Sequence, residues 1–235
     1  MCTWAAACAL AAFVGFAPTY WVPLSGGAFK AHPIVQIYGF IFFAWTLFFL
    51  FQTWLAASGR IARHRATGLS GISFATAMTI FGIMATIAQT KVAVAAGFAD
   101  AGKAFAIVPL LAILFFATVL TLAIANVRQP EVHKRLMLLA SISILDAPIA
   151  RWFQTFLTPP GQVGPPPVVV DIPPTLVACI LLLIAMIFDW RTRGRPHSVY
   201  VIGTIALLAV KILQIPLNAT SAWQATANFL LSLAG

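Results

Sequence analysis

Apolar runs of about twenty residues alternate along this chain with short segments of Gly, Pro and charge. The runs fall at about 3–23, 33–57, 68–95, 105–127, 136–157, 174–190 and 198–217. A hydrocarbon core near 30 Å takes roughly 17–25 helical residues to cross. The pattern therefore predicts an all-α polytopic bundle of seven transmembrane helices in a single domain, residues 1–235. The first run lacks the basic lead segment of a signal peptide and reads as a retained helix. The tail, 218–235, has too short an apolar stretch to span, and is predicted to lie in the interface with Trp223 and Phe229 as anchors. A Pro/Gly-rich segment, 158–174, reads as a semi-rigid extended cover on the outer side.

Composition agrees with this reading. Sixty-one per cent of residues are hydrophobic and 8% charged, with mean hydropathy +0.97, against roughly half and a quarter in soluble domains. A soluble enzyme, a secreted domain and a disordered chain are excluded. The net charge of +9 does not indicate nucleic acid, because no basic face with interleaved aromatics exists. The basic residues instead cluster as Arg60/Arg63/Arg65, Arg128/Lys134/Arg135 and Arg191/Arg193/Arg195, after the second, fourth and sixth runs. By the positive-inside rule these connections are cytoplasmic, with the N-terminus inside and the C-terminus outside. Cys2, Cys8 and Cys179 form no CxxC pair and sit in apolar runs, as small hydrophobes do.

A weak internal repeat relates the second and fourth runs. FFAWTLFFLF (42–51) followed by RIARHRATG matches FFATVLTLAI (115–124) followed by QPEVHKRLM. This makes His64 and His133 equivalent positions at one depth. Two imidazoles on different helices are what axial ligation of a haem b iron requires, and Arg60, Arg63, Arg65, Lys134 and Arg135 would suit its propionates. The competing reading is a pair of interfacial histidines in positive loops. His32 reads as a solvated outer residue and His197 as part of the last inner loop.

Ionisable residues at membrane depth carry more weight, because lipid penalises them. Asp146 and Lys211 fall at similar depth in the fifth and seventh helices, which predicts an ion pair. Arg151 and Gln154, like Lys211 and Gln214, are three apart on one helix face. With Tyr38 these residues form a net positive cluster in the outer half. It suits a pocket for an anionic or carbonyl-bearing molecule such as a quinone head group, a lipid phosphate or a carboxylate. Interhelical glue is the bland equivalent. Pro148 should loosen the backbone beside Asp146. With Asp146 standing alone at depth, and no GxSxG or HExxH, no catalytic residue is assigned.

GFAPTYWVPL (15–24), the segment 32–71 and QPEVHKRLMLLASISILDAPIARW (129–152) resemble a functionally uncharacterised family of bacterial multi-pass inner-membrane proteins. That family has a His-Arg-x-x-Gly turn, matched by His64, Arg65 and Gly68, and a His-(Lys/Arg)-x-x-Met turn, matched by His133, Lys134 and Met137. Asp146 and Arg151-Trp152 also fit its pattern. Tyr38 stands where relatives often carry a second outer histidine. The resemblance implies a bacterial inner-membrane location, and the paired histidines are distantly similar to those of transmembrane di-haem cytochrome b carriers. The expectation is a bundle that binds a small ligand or redox cofactor of haem or quinone type. The alternatives are a non-catalytic accessory subunit packed in lipid against other membrane subunits, and a small-solute transporter. The transporter reading is weakened by the small number of midplane charges and by the lack of a Gly/Pro-interrupted helix pair in equivalent halves.

Overall fold

Three prolines decide where the long apolar runs break. A proline ring presses on the carbonyl four residues back and offers it no N–H. Pro18 does this to Val14, Pro109 to Phe105 and Pro148 to Ile144. In the computed structural model, which describes residues 1–159 and 161–233, a helix ends within a residue of each of those carbonyls. Pro160 of the outer segment and the last two residues of the predicted tail lie outside the described residues.

Helix α1 (Cys2–Gly15) gives way to a π-helical turn (Ala17–Trp21) and a short α2 (Val22–Ser25), bent by 40°. Next come α3 (Pro33–Ala57) and α4 (Ile61–Ala95), then α5 (Ala99–Phe105) running into α6 (Ile107–Ala125). The fifth run is not one helix but two, α7 (Pro130–Ser143) and α8 (Asp146–Leu157). A 3-10 turn (Val168–Asp171) leads to α9 (Ile172–Arg193), α10 (Ser198–Leu217) and α11 (Ser221–Ser232). Six helical stretches are long and apolar enough to cross a membrane, and the bent first pair makes a seventh. Among the described residues there is no strand. The protein has the fold of an all-α polytopic membrane protein.

One helix is longer than its apolar run. At 35 residues α4 measures about 52 Å, well beyond the ~30 Å apolar core. Arg63, His64 and Arg65 therefore ride on its first turns instead of lying in a loop. Hairpins α3–α4 and α6–α7 pack through α4 and α6, α1 lies against α3 and α8, and α9 and α10 close over α7. Trp45, Met78, Phe116, Leu138 and Ile142 are buried in the shared core. Phe40, Leu183 and Ile202 face outward among many other apolar side chains, as lipid contact requires.

The breaks in α1 and α8 meet. A Cβ added at Gly15 would lie 2.5 Å from the Pro148 Cβ and 2.8 Å from its backbone. Only glycine lets the helices approach this closely. Carbonyls in the last turn of α1 accept from indoles: Trp152 Nε1 donates to Val14 O at 2.9 Å, and Trp21 Nε1 to Phe13 O at 3.0 Å.

The tail departs from expectation. Thr220 caps α11, accepting from Trp223 N at 3.2 Å, and Trp223 Nε1 donates to Lys103 O at 2.8 Å. Trp223 is buried in a small second core with Ile107, Leu110 and Val168, while Phe229 stays exposed. Trp223 thus fastens the tail to the bundle.

Candidate functional site

The polar residues gather at two levels, one toward the end bearing the basic clusters and one in the opposite half. At the basic end, His64 is the fourth residue of α4 and His133 the fourth of α7. Each follows the turn of a helical hairpin, so the two hairpins bring them together. Their ring centroids are 6.5 Å apart with planes at 71°. His133 Nδ1 is 2.8 Å from the carbonyl of Ala123, in the last turn of α6. The ring therefore carries its proton on Nδ1 and leaves Nε2 as a lone-pair nitrogen. His64 Nδ1 is buried and has no hydrogen-bond partner among the described residues. Gln52 Nε2 donates to Thr67 Oγ1 at 2.7 Å, while its buried Oε1 has no partner among the described residues.

The neighbouring basic residues divide by role. Arg135 is 2% exposed and grips Asp189 with both arms, Nε to Oδ2 at 2.8 Å and Nη2 to Oδ1 at 2.6 Å. Its Nη1 donates to Glu131 Oε2 at 2.7 Å, and Arg193 and Lys134 reach the same carboxylate. Arg135 is thus a fastener between α7 and α9 and is not available to a cofactor's propionates. Lys134 is likewise paired. Arg60, Arg63 and Arg65 remain exposed, and the Arg60 guanidinium lies over the Trp54 ring at 4.5 Å. The remaining histidines act as caps. His32 accepts from Ile34 N at 3.3 Å, and His197 accepts from Val199 N at 3.2 Å.

In the opposite half, the break after Ser143 makes Asp146 the first residue of α8. Its Oδ1 accepts from the Ala147 N–H at 2.7 Å and its Oδ2 takes the ammonium of Lys211. A second carboxylate changes the picture. Asp171, from the end of the Pro-rich segment, accepts from Lys211 Nζ at 2.7 Å and from Gln214 Nε2 at 2.8 Å. Asp146 does not stand alone at depth. All four side chains are buried, Lys211 and Gln214 completely. The Asp146–Lys211–Asp171 knot carries two carboxylates on one ammonium, so it is not net positive, and a ligand would have no surface of Lys211 to touch.

Arg151 stands outside this knot. It is half-buried, its Nη1 donates to Gln154 Oε1 at 3.1 Å, and its guanidinium lies 5.9 Å from the Phe16 ring centroid. Its electrostatic neighbour is the Tyr38 hydroxyl, and Tyr38 also lies within reach of Asp146. The residues grouped from the sequence as one pocket thus separate. Asp146, Lys211 and Gln214 form a closed knot with Asp171, while Arg151 and Gln154 pair outside it and Tyr38 joins neither by a hydrogen bond among the described residues.

The signal for Asp171 was present as an acid two residues before a proline pair, Pro173-Pro174, at the mouth of the sixth span. A covering segment with no charge would have been the simpler composition. In comparisons with protein families, curated proteins and solved structures, nothing matches this chain, so the functional reading rests on its own geometry.

Proposed function

We propose that the protein is a cofactor-binding membrane protein that holds one metal centre between His64 and His133, with haem b the best match to the ligand set. The carrying observation is the 6.5 Å separation of the two imidazole centroids. An ion about 2.0–2.1 Å from one nitrogen of each ring puts the centroids roughly 6–6.5 Å apart. The carbonyl of Ala123 orients His133 as second-shell partners orient metal-bound histidines.

The number of ligands narrows the class. Among the described residues, no group of three or more His, Cys, Asp or Glu converges. A bare zinc site takes three or four protein ligands, whereas a porphyrin supplies four nitrogens and asks the protein for two axial ones. Exposed Arg60, Arg63 and Arg65 offer charge for propionates at the same end. When bound, haem would supply one-electron chemistry; the chain supplies two imidazoles, that of His133 oriented by the Ala123 carbonyl, and a cationic rim. Resemblance and charge distribution support a bacterial inner membrane with the basic end cytoplasmic.

The test is the absorption spectrum of protein purified in mild detergent, oxidised and then dithionite-reduced. A Soret band with sharp reduced α and β bands is expected, lost in both His64→Ala and His133→Ala while each variant still melts cooperatively. A featureless spectrum that haemin addition leaves unchanged would overturn the proposal.

A further inference from the structure

The corner at Arg151 carries an inference independent of the histidine pair. A guanidinium has five N–H donors, and here the only hydrogen bond it makes among the described residues is the one from Nη1 to Gln154. Arg151 makes no ion pair among the described residues, although two carboxylates lie in the same half of the bundle. Both of those acids are committed to Lys211. Arg151 sits about 9 Å of helical rise inside the end of α8, at a depth where an unneutralised cation is expensive and marks a functional site.

The surroundings define what would neutralise it. The Phe16 ring lies beside the guanidinium and packs edge-on to Phe42 and Phe43, each at 5.6 Å. Tyr38 adds a hydroxyl donor, its ring held close to Gly82 of α4, where an added Cβ would come within 3.1 Å of it. The helix carrying Arg151 packs on α1 and α9, and the helix carrying Tyr38 packs on α1 and α4. Phe16, at the end of α1, thus lies where α1 meets both of these helices. A planar anion would receive paired N–H···O bonds from Arg151 and one from Tyr38, with its apolar body on Phe16.

We propose that Arg151, with Tyr38 and Gln154, forms a binding site for a small carboxylate with an apolar or aromatic body. Among the described residues no acid pairs with Arg151, because Lys211 takes up both buried carboxylates of that half.

The experiment uses the full chain in detergent, with benzoate and octanoate as probes and benzamide as the uncharged isostere, read by isothermal titration and by thermal melting. Benzoate or octanoate should bind and raise the melting temperature, and benzamide should not. Arg151→Gln should weaken the carboxylate by at least about tenfold, the range set by a charge-assisted bidentate contact, and Tyr38→Phe by less. Arg151→Lys, which keeps the charge and loses the fork, should retain part of the affinity and guards against a folding defect in the glutamine variant. Equal responses to benzoate and benzamide, no carboxylate binding by the wild type, or full binding by Arg151→Gln would each overturn the assignment. These readouts are indifferent to haem, so the outcome is separate from that of the spectral test.

Discussion

Removing the ammonium of Lys211 should be among the most damaging single changes in the molecule. Lys211 has no exposed surface and holds Asp146 and, at 2.7 Å, Asp171. Lys211→Met leaves two carboxylates facing each other in a buried site, where breaking a buried pair costs about 3–5 kcal/mol. For a chain of this size that is a fall in melting temperature on the order of 10 °C. The geometry makes a sharper statement about rescue. Neutralising Asp146 alongside Lys211 still strands Asp171, whose remaining partner is the Gln214 amide at 2.8 Å. The double variant Lys211→Met/Asp146→Asn should stay well below wild type. The triple variant that adds Asp171→Asn should recover most of the loss, since buried ion clusters replaced as a whole are often neutral. Melting in one detergent, followed by tryptophan fluorescence, ranks the three. A double variant that already melts like wild type would refute a role for Asp171, and a single variant within about 2 °C of wild type would refute the fastening role altogether.

Other outcomes follow from particular contacts. Gly15→Ala places a Cβ 2.5 Å from Pro148 and should cost about 1–3 kcal/mol through overpacking, visible as a lower melting temperature. Arg135→Gln breaks a bidentate buried pair with Asp189 and should cost about 3–5 kcal/mol. Arg193→Gln, at a site 45% exposed, should cost less than about 1 kcal/mol. His197 accepts a hydrogen bond as the cap of α10, which needs the neutral ring, and burial holds its pKa below the ordinary value. The unfolded chain then binds the proton more readily, so the cap's contribution is present above about pH 6.5 and declines as pH falls below it. His197→Asn, which caps without titrating, should flatten that part of the pH–melting curve; an unchanged slope would remove His197 as its source.

The number of spans and the polar residues at depth were legible because lipid imposes a coarse, local rule on composition. Asp146 and Lys211 met because helical rise alone sets their depth. What rise cannot supply is rotation, and Arg135 shows the result: grouped by sequence with orientation charges, it turns inward to Asp189, 54 positions away. Asp171 escaped because a Pro-rich connection says little about where its last turn dips into the bundle. The breaks in α1 and α8 were written as Pro18 and Pro148. Their seating on one another depends on Gly15 and Trp152 lying 137 positions apart, which periodicity does not encode.

The joint between the first and fifth spans also bears on how the chain reaches its fold during synthesis. Val14 and Phe13 emerge first. Trp21 is close behind and satisfies Phe13 at once. Val14 keeps a backbone N–H donor at the end of α1, and its second donor is Trp152, made more than a hundred residues later. Until then Gly15 presents a notch with nothing seated in it. The bend at the end of α1 is thus closed from outside the segment, by Pro148 against Gly15 and by the Trp152 indole on Val14.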